Sequence, residues 1–253
     1  MKTFSILGCG WLGFELAKSF KNDFLVKVSS RSEDKMNLYK NEGLSPFLLN
    51  ENNFEFLDDL LDTNYLFINF PPSKFDDYIS FLEKIFSNKH LNKIERIIFI
   101  SSTSIYPNVE GIFDEDSQLD TLNSSLVYKA EVAFKNKIDV IFRVSGLVGG
   151  NRYFGKRSAG KIVEFPNTPI NFVHRNDVID AVKFVLDKNL NGTYNISSKE
   201  HPTKKEIYTY NSKKFGFEMP IFKNEGIFIN RIIDGSKIEK EGFIYKYNDV
   251  FSF

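Results

Sequence analysis

The chain has 253 residues, with 33 basic side chains against 33 acidic ones, a single cysteine and 27 phenylalanines spread along its whole length. That length suits one large domain, or a medium domain with a smaller partner. A net charge of zero excludes a protein organised around gripping nucleic acid or an anionic membrane surface, which needs a standing positive field. One cysteine cannot close an internal disulfide. Three scattered histidines, His90, His174 and His201, without CxxC or HExxH spacing, give no zinc site.

The first residues, Ile6-Leu-Gly-Cys9, mimic a lipoprotein cleavage box, but the cysteine comes before any signal-length apolar run could fit. Nor does any uncharged apolar run approach the ~18 residues of a membrane span, so the chain is expected to be cytoplasmic. Strands are predicted at Thr3–Leu7, Phe24–Val28, Phe47–Leu49, Tyr65–Asn69, Arg96–Ile100 and Val140–Val144, from runs of β-branched and aromatic residues. Between them lie helical stripes: Leu12, Leu16 and Phe20 at four-residue spacing, then Tyr78, Phe81, Leu82 and Ile85 on one face. Alternation of this kind predicts βα units closing on a parallel sheet. After Gly146 a loop-rich stretch is followed by a helix over Asp177–Leu186 and a short strand over Thr193–Ile196. Thr203 and Glu206 then make a capping-box start for a helix to about Phe215. Charge divides unevenly, with 16 basic and 21 acidic side chains in residues 1–150 (net −5) and 17 and 12 in residues 151–253 (net +5).

The strongest motif is Gly8-Cys9-Gly10-Trp11-Leu12-Gly13, between the first strand and its helix. The first glycine allows the tight turn, the second a pyrophosphate against bare backbone, and the third close helix–strand packing. The helix N-terminus then offers unpaired N–H groups to the anion, so dinucleotide binding is expected. About 20 residues on, where an acid would accept the ribose hydroxyls of NAD, the chain has Ser29-Ser30-Arg31-Ser32. Arg31 can grip a 2′-phosphate, with Ser30 and Ser32 donating to it, so NADP is preferred over NAD. Alternatively, Arg31 stacks on adenine or faces solvent, which would leave selectivity weak. Cys9 reads as a small filler, since no neighbour in sequence would activate its thiol.

Ile98-Phe-Ile-Ser-Ser-Thr-Ser-Ile-Tyr106 at the end of the fifth strand resembles the extended short-chain dehydrogenase/reductase superfamily of NAD-dependent epimerases and dehydratases. So do Arg143-Val-Ser-Gly-Leu-Val-Gly149, Phe172-Val-His-Arg-Asn-Asp177 and Gly192-Thr-Tyr-Asn-Ile196. The GWLG turn, the SSTS segment and Ile232-Ile-Asp-Gly-Ser236 resemble its atypical YeeZ-type branch. The resemblance implies an α/β, doubly wound Rossmann sheet in residues 1–145 and a small substrate domain in 146–253, with the strand near 193–196 free to return to the sheet. It further implies Ser102 as the hydroxyl that binds the reacting oxygen, Ser101 and the Phe70-Pro71-Pro72 loop beside the cofactor, and a homodimer.

The chain departs from that family at its catalytic pair. Typical members carry Tyr-x-x-x-Lys on the next helix, followed four residues later by Glu; aligning that Glu with Glu131 leaves Asn123 and Val127 at the tyrosine and lysine positions. Tyr128 and Lys129 are adjacent, hence about 100° apart on a helix, and cannot replace the pair. Tyr106, Tyr128 and His174 remain as proton donors to weigh, with Tyr106 read as a pocket wall and His174 as a residue that orders its loop. Arg152, Lys156, Arg157 and Lys161 form a basic cluster suited to a phosphate- or carboxylate-bearing small molecule, or else a solvated loop. Asp114, Glu115 and Asp116 are expected to face solvent. Two functions stay open: an NAD(P)-dependent oxidoreductase or epimerase acting on a small anionic or sugar-like substrate, and a non-catalytic NADP-binding sensor.

Overall fold

A computed structural model describes residues 1–122, 125–223 and 228–252. In chain order the elements begin β1 (Thr3–Leu7), α1 (Trp11–Phe20), β2 (Leu25–Ser30), α2 (Met36–Asn41), β3 (Ser45–Leu48), α3 (Leu57–Leu61), β4 (Tyr65–Ile68), α4 (Tyr78–Phe86) and β5 (Arg96–Ser102). They continue with β6 (Gly111–Phe113), α5 (Leu126–Phe134), β7 (Val140–Val144), β8 (Gly146–Val148), β9 (Ile162–Glu164), β10 (Phe172–His174) and α6 (Arg175–Asp187). The last are β11 (Gly192–Ile196), α7 (Lys204–Phe215), β12 (Ile221–Lys223), β13 (Arg231–Ile233) and α8 (Ser236–Lys240). No helix among the described residues is long and apolar enough to cross a membrane.

Seven strands form one parallel sheet in the order β11-β7-β5-β4-β1-β2-β3. The order reverses beside β1, between β4 and β2, the switch point at which doubly wound sheets bind ligands outside the carboxyl ends of their strands. β2 runs two residues beyond its expected end, because Ser29 and Ser30 stay in the ladder opposite Phe47 and Leu48 of β3. Phe24, expected to open β2, instead bonds back to the Phe20 carbonyl and packs its ring on Phe4, Phe20 and Tyr65. β5 likewise extends to Ser102, and α6 starts at Arg175, two residues early. The capping box of α7 is formed as read, with the Thr203 hydroxyl accepting from the Glu206 N–H and the Glu206 carboxylate accepting from the Thr203 N–H.

The chain divides into two compact units: Met1–Ser101 with Leu122–Phe142 and Val185–Thr193, and Ser102–Thr121 with Arg143–Phe184 and Tyr194–Phe253. In the first unit the core is largely aromatic: Phe70, Phe75 and Phe81 meet at ring distances of 4.5–5.4 Å, and Phe86 stacks on Phe134 at 4.5 Å. Such rings bury large areas and add specific edge-to-face contacts. In the second unit a smaller core gathers Val148, Ile170, Phe172, Ile207 and Val250. That unit also holds three two-stranded parallel ribbons, β10-β8, β12-β9 and β13-β6, none of them long enough to announce itself as a strand in sequence.

Candidate functional site

The turn after β1 gives its three glycines three different tasks. Gly8 sits at φ +93°, in the left-handed region, and a Cβ there would lie 2.4 Å from the Asn69 carbonyl oxygen. A Cβ on Gly13 would lie 2.7 Å from the Gly8 carbonyl oxygen and 3.1 Å from Ile6, so α1 can lean on β1 only without a side chain. Gly10, at the N-cap of α1, has nothing within 4 Å of the same position. Of the three, only Gly10 leaves its backbone open, at the first turn of α1, whose N–H groups have no intrahelical acceptor.

Ser29, which the sequence offered only as part of a serine run, pins this turn. Its hydroxyl accepts from the Gly8 N–H at 2.8 Å, and its carbonyl accepts from the Cys9 N–H at 3.3 Å. Tyr39, fully buried on α2, donates its hydroxyl to the Cys9 carbonyl, and burial raises its pKa. Burial also pushes the Cys9 thiol up to about 12, so it is a protonated filler at neutral pH. Trp11 and Leu12 open α1, with Leu12 buried under it.

At the end of β2, Ser30 is buried and donates its hydroxyl to the Ser32 carbonyl at 2.6 Å, while Ser32 is exposed and precedes a short 3₁₀ turn without a side-chain cap bond. Arg31 is exposed; its guanidinium donates to the Lys74 carbonyl at 2.7 Å and lies 5.7 Å from the centre of the Phe75 ring. Asn50 donates to the Arg31 carbonyl at 3.1 Å, and the Glu51 carboxylate accepts from the backbone N–H groups of Asp76 and Asp77. The loops after β2, β3 and β4 are thus tied into one rim. In the β4 loop, Pro71 is exposed and Pro72 half-buried, whereas Phe70 turns inward and packs on Phe75 and Phe81.

At the end of β5, buried Ser101 donates its hydroxyl to the buried carboxylate of Glu131 on α5. Val127 stands half-buried in the first turn of that helix, Tyr128 is half-buried and Lys129 exposed; Asn123 lies outside the described residues. In the second unit, Ser102 is half-buried and its hydroxyl accepts from the Ser104 N–H at 3.1 Å, which leaves its own proton available to a ligand oxygen.

Tyr106 is fully buried; its hydroxyl donates to Asn195 Oδ1 and accepts from Arg143, both at 2.8 Å, so the ring locks landmarks of the second unit together. Glu115 departs from the solvent-facing expectation. It is half-buried, accepts from the Asn195 N–H at 2.6 Å, and its carboxyl pKa is raised by burial, whereas Asp114 and Asp116 are exposed. Gly235 of the IIDGS segment has to be glycine, since a Cβ would lie 2.4 Å from the Ser197 carbonyl oxygen. His174 is buried, accepts at Nδ1 from the Asn176 N–H and stacks on Tyr247 at 4.0 Å. Burial, then the charge of Arg175, lowers its pKa to about 4. It orders its loop in the neutral form.

A doubly wound parallel sheet with a glycine turn after β1 defines a Rossmann-type fold. Solved structures with the same fold include UDP-N-acetylglucosamine 4-epimerase of Bacillus cereus (TM-score 0.75, 19% identity, covering 99% of this chain and 97% of that one). Another is UDP-glucuronic acid 4-epimerase of the same organism in complex with NAD (TM-score 0.78, 17% identity, 99% and 94%). Protein YeeZ of Escherichia coli K12 is 31% identical over 268 residues, covering 98% of this chain and 97% of YeeZ, and YeeZ of strain O157:H7 matches equally. The chain belongs to the YeeZ family. No protein-family model matches it.

Proposed function

We propose that this chain is an NAD(P)-dependent oxidoreductase or epimerase acting on a small anionic or sugar-like molecule. The dinucleotide pyrophosphate lies on the Gly8–Gly13 turn, and NADP is preferred through Arg31. The carrying observation is the division of labour among the glycines: Gly8 and Gly13 have no room for a Cβ, while Gly10 faces open space. A bound nicotinamide would supply hydride transfer. The chain's part is to hold the phosphates on the α1 N-terminus, to turn Arg31 from the Lys74 carbonyl toward a 2′-phosphate, and to direct the Ser102 hydroxyl at the reacting oxygen. Of the neighbours in fold, one carries NAD and both are named for UDP-sugars, which makes UDP-sugars the first substrates to try.

A second reading, a non-catalytic NADP-binding sensor, is favoured by one feature: Val127, aligned with the family lysine, carries no ammonium to lower a phenol's pKa. The two separate in a single series. NADPH and NADH are titrated into wild type and Arg31→Ala, and cofactor consumption is followed across UDP-sugars and small carbonyl compounds. Tighter NADPH binding that falls roughly tenfold in the variant, with turnover on some substrate, supports the enzyme reading. Binding without turnover supports the sensor, and no binding of either cofactor removes both.

A further inference from the structure

On α7, Ile207 and Asn211 follow at four-residue spacing and are both buried, at 0% and 4% exposure, with Phe215 next on the same stripe and 40% exposed. A polar side chain in a core-facing stripe costs free energy unless its polar atoms are paired. Half of the Asn211 amide is accounted for: Nδ2 donates to the Phe154 carbonyl at 3.0 Å. That bond also fixes which end of the amide is oxygen, since the reverse orientation would set two acceptors against each other. Among the described residues nothing donates to Oδ1, yet this atom is not sealed from solvent either.

Asn211 lines a pocket of about 110 Å³ in the second unit, a volume on the scale that takes a single six-membered ring. Val148, Phe154 and Val250 give it an apolar wall, continuous with the small core of this unit. Tyr153 and Phe215 stack at 3.9 Å to make an aromatic flank, and Phe217 extends it at 5.9 Å from Tyr153. Arg152 and His174 line the pocket too, each already engaged by other groups of the fold. The buried side chain that still has an atom to offer is Asn211, through an acceptor.

We propose that this pocket binds a single uncharged aromatic ring bearing one N–H or O–H donor, which lies against Tyr153 and Phe215 and donates to Asn211 Oδ1. Volume sets the ring size, and the stacked flank favours a flat face. The apolar wall excludes an ion, which would lose its water there. The open acceptor selects the donor, because a ring without one would cover Oδ1 and leave it unpaired. The ligand class is a phenol or an N–H heterocycle, free or as the ring of a larger molecule. This site lies in a different unit from the glycine turn and does not rest on the dinucleotide reading.

Phenol and toluene are the direct probes, since they share a shape and differ by a hydroxyl in place of a methyl. Their binding to the full-length protein is measured by ligand-observed NMR titration without nicotinamide cofactor, beside cyclohexanol, which has the hydroxyl but not the flat ring. Wild type should bind phenol roughly tenfold more tightly than toluene, and cyclohexanol severalfold more weakly than phenol. Asn211→Leu should reverse the first preference, so that toluene binds better than phenol; a collapsed pocket would bind neither. Phe215→Ala, at a partly exposed position, should weaken phenol and toluene together by about threefold and keep their ratio. Should Asn211→Leu lose its circular dichroism, the wild-type ratio and Phe215→Ala still decide. Phenol binding no better than toluene in wild type, a ratio unmoved in folded Asn211→Leu, or phenol affinity unmoved by Phe215→Ala overturns the proposal.

Discussion

The Ser101 hydroxyl, at the end of β5, donates to the Glu131 carboxylate on α5, and both side chains are buried. Glu131 therefore fastens α5 against the sheet. Glu131→Ala would strand the Ser101 hydroxyl and open a cavity, and should cost about 1–3 kcal/mol in urea unfolding. Glu131→Gln keeps an acceptor and should cost less than half as much. Equal losses would mean that the carboxylate acts through something other than Ser101.

Tyr106 makes a second, separable prediction. Its hydroxyl joins Asn195 to Arg143 inside the second unit, and burial raises its pKa above the ordinary phenol value. A phenol so placed stays protonated and structural. Tyr106→Phe should lower stability by about 1–3 kcal/mol, because it leaves a buried amide oxygen and a buried guanidinium short of a partner. It should leave the pH dependence of any turnover unmoved. A lost limb in the pH profile would instead make Tyr106 the proton donor.

What could be read in advance followed the range of the signals. β1, the glycine turn, the stripe of α1 and the capping box of α7 are written in residues within a few positions of one another, and all four appear as read. The resemblance sets Phe70 beside the cofactor; that its ring packs in the Phe75–Phe81 cluster has no local signal, because only the fold of α4 against the β4 loop assembles that cluster. Ser29, Tyr39 and Glu115 act through partners 21, 30 and 80 positions away. Spacing along the chain carries no trace of such pairs. Glu115 in particular sits between two exposed aspartates, and local composition makes the three look alike.

His174 makes the fold sensitive to acid. Its folded pKa, about 4, lies below the ordinary 6.5, so the unfolded chain binds a proton that the folded chain refuses. Stability from this group is full above about pH 6.5 and is lost as pH falls toward 4, by up to about 3 kcal/mol. Glu115 and Asp177, whose pKa values burial raises, oppose the trend, so the test must be a difference. Urea unfolding at pH 7.5 and 4.5 should show wild type losing more stability than His174→Gln across that interval. Parallel losses would mean that the imidazole is solvated enough to protonate in place.

The glycine turn allows a prediction in which stability and binding move apart. Gly13→Ala puts a methyl 2.7 Å from the Gly8 carbonyl oxygen, between α1 and β1, where neither backbone can yield cheaply. It should lower stability by about 1–3 kcal/mol, the usual range for overpacking. Gly10→Ala meets nothing within 4 Å, and although its ψ of −145° lies at the margin of the extended region its φ of −96° is not left-handed, so its stability should stay within about 1 kcal/mol of wild type. The same methyl would stand where the pyrophosphate must approach bare backbone, so NADPH affinity should fall roughly tenfold or more in a protein that is otherwise intact. Fluorescence titration of NADPH beside urea unfolding reads both quantities. Should Gly10→Ala bind NADPH as tightly as wild type does, the turn is a packing device only, and the pyrophosphate does not lie against Gly10.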